Sequence, residues 1–228
     1  MFKKVLTTTV LCASALGVMT AHAAAPGVYI TGQLGYANTH MGSKTNIADI
    51  NSNTPKDFIF TPNNAKDTNL ANNGLAGRLA IGYQFNPNFA LEAGYLRLGS
   101  KKVEGSLVSE STKDTLQLQQ NAIDFVGKGI IPVGSNINLY GKLGVAYLST
   151  DLEGKVPGDE SQPDLKIDLN KTANLSKHTF APEVALGVSY DITPNVSVDT
   201  SWTHIQPLGK NKPGNIDFVA VGLGYNFG

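Results

Sequence analysis

Across most of this chain every second residue is apolar, and breaks divide the alternation into eight runs. A period of two is the signature of strands with one greasy face. The runs are Val28 to Tyr36, Leu75 to Phe85, Phe89 to Leu98, Leu116 to Ile131, Ile137 to Leu148, about His178 to Tyr190, Val196 to Gln206 and Ile216 to Phe227. In the second run Leu75, Leu79, Ile81, Tyr83 and Phe85 are in phase and Arg78 is out of it; in the fifth, Ile137, Leu139, Leu143, Val145 and Tyr147 stand opposite Lys142. The connections sort by length. Asn86 to Asn88, Pro132 to Asn136 and Asp191 to Asn195 are short turns rich in Pro, Asn, Gly and Asp. Ala37 to Gly74, Gly99 to Thr115, Ser149 to Lys177 and Pro207 to Asn215 are longer and polar. Short connections at one end and long ones at the other are what a transmembrane barrel shows, with turns in the periplasm and loops outside.

Which face looks outward decides between a membrane barrel and a soluble one with an apolar lumen. The second face reads Tyr29, Thr31, Gln33, Gly35; Ala76, Arg78, Ala80, Gly82; Ala90, Glu92, Gly94; Asn138, Tyr140, Lys142, Gly144, Ala146; Ala181, Glu183, Ala185, Gly187; Ala220, Gly222, Gly224. A water-facing wall carries roughly a quarter to a third charged residues; this face has about one charge per strand among small residues. It suits a narrow filled interior, which leaves the bulky face for lipid. The expected fold is therefore all-β: an eight-stranded antiparallel up-and-down transmembrane β-barrel. Tyr83, Phe85, Phe89 and Tyr190 lie beside the short turns, with Tyr225 and Phe227 at the end of the last run; Tyr36, Tyr95, Tyr147 and Trp202 lie toward the other ends. These aromatics are expected at the two membrane boundaries. The rival reading is a soluble periplasmic barrel binding an apolar ligand.

The N-terminus points to export. Lys3 and Lys4 precede an apolar run from Val5 to Met19, and Ala21-His22-Ala23 supplies an A-x-A cleavage pattern, so residues 1–23 read as a secretory signal peptide and 24–228 as the barrel domain. The single cysteine, Cys12, falls in that leader without the small residue before it that a lipoprotein signal needs. No disulfide or lipid anchor is expected, which fits a Gram-negative envelope protein. Removing Lys3 and Lys4 leaves 16 basic against 18 acidic residues; a nucleic-acid surface, which needs clustered Lys and Arg, is not expected. No metal-ligand spacing, phosphate loop or nucleophile elbow is present, and no cofactor is expected.

The stretches "GYQFNPNFALEAGYLRLG", "INLYGKLGV" and the final "VAVGLGYNFG" resemble the OmpA-type eight-stranded outer-membrane barrels, with gaps from Val28 to Gly228. The resemblance implies the cell outer membrane, a lipid environment, and folding by the outer-membrane assembly machinery. Two departures stand out: the chain stops at the barrel, where the family often continues into a cell-wall-binding domain, and the terminal aromatic, Phe227, is penultimate. Some such barrels are lipid A deacylases with a His-x-Ser pair; His204 continues as Ile205-Gln206-Pro207, without the serine, and the chain is read as no enzyme.

Seven charges fall on the inward parity: Arg78, Glu92, Asp124, Lys128, Lys142, Glu183 and Asp199. An eight-stranded barrel is just wide enough for side chains to fill, so these groups are expected to meet one another. By resemblance Glu92, Lys128 and Lys142 match charged interior positions of the family, whereas Asp199 falls where an arginine is common. The network reads first as a structural plug, alternatively as the gate of a narrow small-ion pore. The long loops read as a solvated surface, with adhesion to a host or neighbouring cell as the sharper expectation. His204 is expected at the interface beside Trp202, and His40 and His178 at loops or strand edges.

Overall fold

The computed structural model describes residues 26–52, 59–70, 73–106, 114–156, 165–171 and 173–228. The proposed leader and Cys12 lie outside them. Eight long strands close a ring: β1 (Gly27–Thr39), β3 (Gly74–Asn86), β4 (Phe89–Leu98), β6 (Asp114–Pro132), β7 (Ile137–Val156), β9 (His178–Asp191), β10 (Val196–Ile205) and β11 (Ile216–Asn226). Each pairs antiparallel with its neighbour, and the last returns to the first through Tyr29↔Asn226 to Thr39↔Ile216. Closure removes every barrel edge, the condition for a sheet to cross a bilayer. Three short strands, β2 (Thr61–Pro62), β5 (Lys101–Ser106) and β8 (Leu165–Asp168), extend the sheet at the long-loop end.

Local chemistry makes the turns tight. Asn86 Oδ1 accepts from the Asn88 amide at 2.9 Å, and Thr193 Oγ1 accepts from the Asn195 and Val196 amides, so both Pro-Asn turns are held by a side chain at their start. Glycine matters where tyrosine lies flat on the inner wall. A Cβ at Gly82 would land within the Tyr29 ring, and one at Gly187 within the Tyr140 ring.

The outward face is apolar over the barrel. Leu79 (70 % exposed), Leu143 (72 %) and Val221 (66 %) look away from the axis, while Arg78, Glu92 and Lys142 are buried inside. The soluble rival required the reverse arrangement and is not met. Tyr36, Tyr83, Phe85, Phe89, Tyr95, Tyr147, Tyr190, Trp202, Tyr225 and Phe227 all face outward. Several touch: Tyr83 with Phe85, Phe85 with Phe89, and Tyr225 with Phe227, at ring separations of 4.9, 5.9 and 4.8 Å.

On β6 and β7 the pattern inverts partway up. Below the inversion β7 turns Leu139, Leu143, Val145 and Tyr147 outward and Asn138, Tyr140, Lys142 and Ala146 inward. Above it, Ser149, Asp151, Glu153 and Lys155 take the outer side and Leu148, Thr150 and Leu152 the buried side. β6 does the same, from Ile123 and Phe125 outward to Thr115, Gln117 and Gln119 outward, with Leu116 and Leu118 buried. Lipid outside favours the first arrangement and water outside the second, so the switch marks the outer membrane boundary.

Above that boundary the chain builds a second core, and here the expectation of solvated loops is corrected. Met41, Ile47, Ile50, Phe60, Leu70, Val103, Leu116, Leu118, Leu152, Leu169, Ala173 and Leu175 form one buried cluster. A short helix, α1 (Ile47–Ser52), contributes Ile47 and Ile50, and Asn46 Oδ1 caps its start at the Ala48 amide. Asn51 pairs both ways with the Phe60 backbone at 2.7 and 2.9 Å. Asn170 imitates a strand residue: its Oδ1 accepts from Leu152 N and its Nδ2 donates to Thr150 O. The described parts of the long connections thus contribute to a folded cap; Pro157 and Pro163 lie outside the described residues.

Candidate functional site

The lumen has three levels along the strands. At the short-turn end a small vestibule of about 70 Å³ is lined by residues that include Thr31, Lys128, Asn138, Ser189, Ser197 and Asp199. Next comes an ionic layer. Arg78 forks between two acids: Nε and Nη2 donate to Asp124 Oδ2 and Oδ1 at 3.0 and 2.6 Å, and Nη1 to Glu92 Oε1 at 2.7 Å. Lys142 Nζ donates to the same Glu92 oxygen at 2.7 Å, and Tyr29 donates its hydroxyl to Glu92 Oε2 at 3.0 Å. The fork fits because position 94, beside it on β4, is glycine; a Cβ there would stand 2.5 Å from Arg78 Nη2 and 2.7 Å from Asp124 Oδ2. A bidentate guanidinium–carboxylate pair is the strongest ionic arrangement available in such a space.

Above the ionic layer lies an apolar septum of Ala37, Ala76, Leu96, Leu98, Ala122, Ala146, Leu148, Ala181, Ile205, Ile216, Phe218 and Ala220, all buried. Gln120 and Thr150 bridge it to the cap; Gln120 Nε2 donates to Thr150 Oγ1 at 3.1 Å and reaches Met41 Sδ at 3.7 Å. Met41 Sδ also accepts from Gly214 N at 3.1 Å, which ties the first long connection to the last.

All seven charges expected inside are inside, but they do not all meet. Arg78, Glu92, Asp124 and Lys142 form the network. Lys128 instead sits over the rings of Tyr140 and Tyr29, 4.4 and 5.4 Å from their centroids, with no carboxylate within salt-bridge distance among the described residues. Asp199 is held by neutral donors, Gln33 Nε2 at 2.7 Å and the Tyr140 hydroxyl at 3.0 Å. Glu183 is 2 % exposed, and its Oε2 has no hydrogen-bond partner among the described residues. For Lys128 and Asp199 the physical reason is strand register, which brings ring faces and neutral donors into contact with them where no opposite charge stands within salt-bridge distance among the described residues. Tyr29, Tyr140 and Gln33 carry these roles unannounced by the sequence; their signal is cross-strand, since Tyr29 is opposite Gly82 and Tyr140 opposite Gly187.

At the outer boundary Asp217 faces outward and gathers His204 Nδ1 at 2.8 Å, Trp202 Nε1 at 3.2 Å and His40 Nδ1 at 3.5 Å. His204 is thus beside Trp202, as expected at the interface. His178 begins β9 and stacks on Tyr147 at 5.5 Å. In the water above, Lys177 spans Asp151 at 3.1 Å and Asp168 at 3.7 Å. Its hydrogen bond to Asp151, reinforced by both negative charges, holds the ammonium pKa above its ordinary value. Among the described residues no group of three or more His, Cys, Asp or Glu is placed to hold a metal ion.

The Outer membrane protein beta-barrel domain family matches residues 8–227 of this closed eight-stranded ring. The chain belongs to this family. Among family relatives, an uncharacterized protein of Coxiella burnetii (strain RSA 493 / Nine Mile phase I) is 29 % identical over 218 residues, covering 88 % of this chain and 85 % of the relative. Outer membrane protein A of Shigella flexneri is 26 % identical over 178 residues, 75 % of this chain and 45 % of that longer protein. The solved structure of Neisserial surface protein A aligns at a TM-score of 0.52 and 14 % identity, over 88 % of this chain and 97 % of that one, which shows a shared fold. Membership in an outer-membrane β-barrel family implies the outer membrane as the chain's location.

Proposed function

We propose that this outer-membrane barrel is a structural, non-catalytic element of the envelope that carries a rigid cap at the cell surface. One observation supports this above the rest: the outward face changes from Val145 and Tyr147 to Ser149, Asp151 and Glu153 within a single unbroken strand, while the buried side stays filled. A chain built this way stands across a membrane and holds folded protein above it. The polar outer face of β5–β8, with Lys102, Glu104, Gln117, Glu153 and Lys155, is the surface through which a host or neighbouring cell would be met, displayed on a fixed sheet rather than on free loops.

Fractionation tests the membrane part of this reading. The protein is expected in outer membranes, resistant to alkaline extraction, and to migrate faster on gels before heating than after; recovery in the aqueous periplasmic fraction would overturn it. Adhesion is tested by replacing residues 41–72 with a short turn. Cells carrying the variant should lose attachment if the first connection takes part, and alanine at Lys102, Glu104, Gln117, Glu153 and Lys155 should lose it while the barrel keeps its heat-dependent migration; unchanged attachment in both would remove the adhesive role.

A further inference from the structure

Two barriers of different chemistry stand in series along the lumen. The ionic layer borders the vestibule at the short-turn end, whose 70 Å³ hold roughly two waters. The septum above it is mostly apolar: its polar groups are the buried hydroxyls of Thr203, opposite Phe218, and Thr179, opposite Leu148, and the Glu183 carboxyl opposite Ile205. Leu148, Ile205, Ile216, Phe218, Leu96 and Leu98 are 0–2 % exposed and come from β7, β10, β11 and β4, around the whole circumference. Its outer side is shut by Met41, which is anchored by Gly214 and Gln120, and by the cap core above.

We propose that the apolar septum, and not the ionic layer, seals this barrel, which makes the lumen a one-ended chamber open toward the periplasm. An ion-pair network can exchange partners with water at modest cost, whereas an ion entering a dry constriction must shed its hydration with nothing in return, so apolar constrictions stop ions by excluding water. Glu92 illustrates the difference: it already has three donors from three strands, so partner exchange there needs only small movements. Opening the septum requires Phe218 and the leucines around it to leave a filled core.

Thiol labelling in detergent tests this without reference to lipid, so it fails or succeeds independently of the membrane reading. The sequence has one cysteine, Cys12, so single cysteines can be introduced over Cys12→Ser. A small charged methanethiosulfonate should modify Ser197→Cys in the folded, heat-modifiable barrel and leave Ala146→Cys and Ala220→Cys at least a hundredfold slower until the protein is unfolded. Equal labelling of Ala146→Cys and Ser197→Cys in folded protein would overturn the proposal, as would protection of Ser197→Cys. Planar-bilayer recording supplies a second readout. Glu92→Ala should be as silent as the parent, and adding Leu148→Ser and Phe218→Ser should produce ion currents. Conductance from Glu92→Ala alone, or silence from the folded triple variant, would place the seal elsewhere.

Discussion

Glu92 accepts from Arg78, Lys142 and Tyr29 at once, at 2.7, 2.7 and 3.0 Å. Glu92→Ala therefore strands a buried ammonium and half of a guanidinium fork, and breaking a buried pair in this way costs about 3–5 kcal/mol. Urea titration of the folded band on unheated gels should show that loss. Glu183 carries the same charge and should behave in the opposite way. Among the described residues its Oε2 is unpartnered, and the lumen holds four carboxyl groups (Glu92, Asp124, Glu183, Asp199) against three basic groups (Arg78, Lys128, Lys142). Glu183→Gln removes the surplus charge and keeps the shape, so stability should hold or rise by about 1 kcal/mol; a loss as large as that of Glu92→Ala would mean Glu183 is part of the network. At this scale the sequence was readable for parity and unreadable for pairing. Arg78 and Lys142 fall inward by counting twos, but whether Lys128 meets an acid or a tyrosine ring depends on stagger between strands, which no single strand encodes.

Among the elements, β7 is informative because one run of hydrogen bonds serves two environments. Its lower half was legible from Ile137 to Leu148, since lipid demands an unbroken apolar parity. Its upper half, to Val156, was hidden because the parity reverses: Leu148 and Leu152 fall on the phase of Lys142 rather than of Val145. The same reversal on β6 sets Leu116 and Leu118 in phase with Asp124. A change of phase without a turn residue is the mark of a strand leaving the membrane, and it was present in the sequence. The packing of the first long connection was not, because Ile47, Ile50, Phe60 and Leu70 are spaced irregularly and find their core only against residues distant in sequence on β5, β6, β7 and the segment after β8. The cap is expected to unfold apart from the barrel. Leu152→Ala should cost it about 2–5 kcal/mol as a core truncation, and Asn170→Ala about 1–3 kcal/mol by orphaning Leu152 N and Thr150 O. Hydrogen exchange of cap amides should accelerate accordingly while the barrel's migration on gels stays unchanged; simultaneous loss of both would mean the two cores fold as one.

Over the whole molecule, the fold follows from one sorting of side chains against three media: lipid outside the lower wall, water outside the upper sheet, and protein within. Eight strands were legible because each must satisfy that sorting alone, and because the connections sort by length between the two ends, as they do in a membrane barrel. The sorting makes a paired prediction about position. Leu143 is 72 % exposed on β7, four residues below Tyr147, and faces acyl chains. Gln119 faces outward on β6 above the switch, opposite Asp151. The two sites share strand geometry, outward direction and exposure to a solvent, and differ only in which solvent that is. An arginine at a mid-membrane site of a barrel costs about 2–4 kcal/mol, falling toward zero at the interface. Leu143→Arg should therefore lower stability in lipid vesicles by that amount, whereas Gln119→Arg, with Asp151 across the strand pair, should change it by less than about 0.5 kcal/mol. Comparable losses at both positions would erase the boundary drawn between Tyr147 and Ser149, and with it the reason the upper strands carry a cap in water rather than a taller belt in lipid.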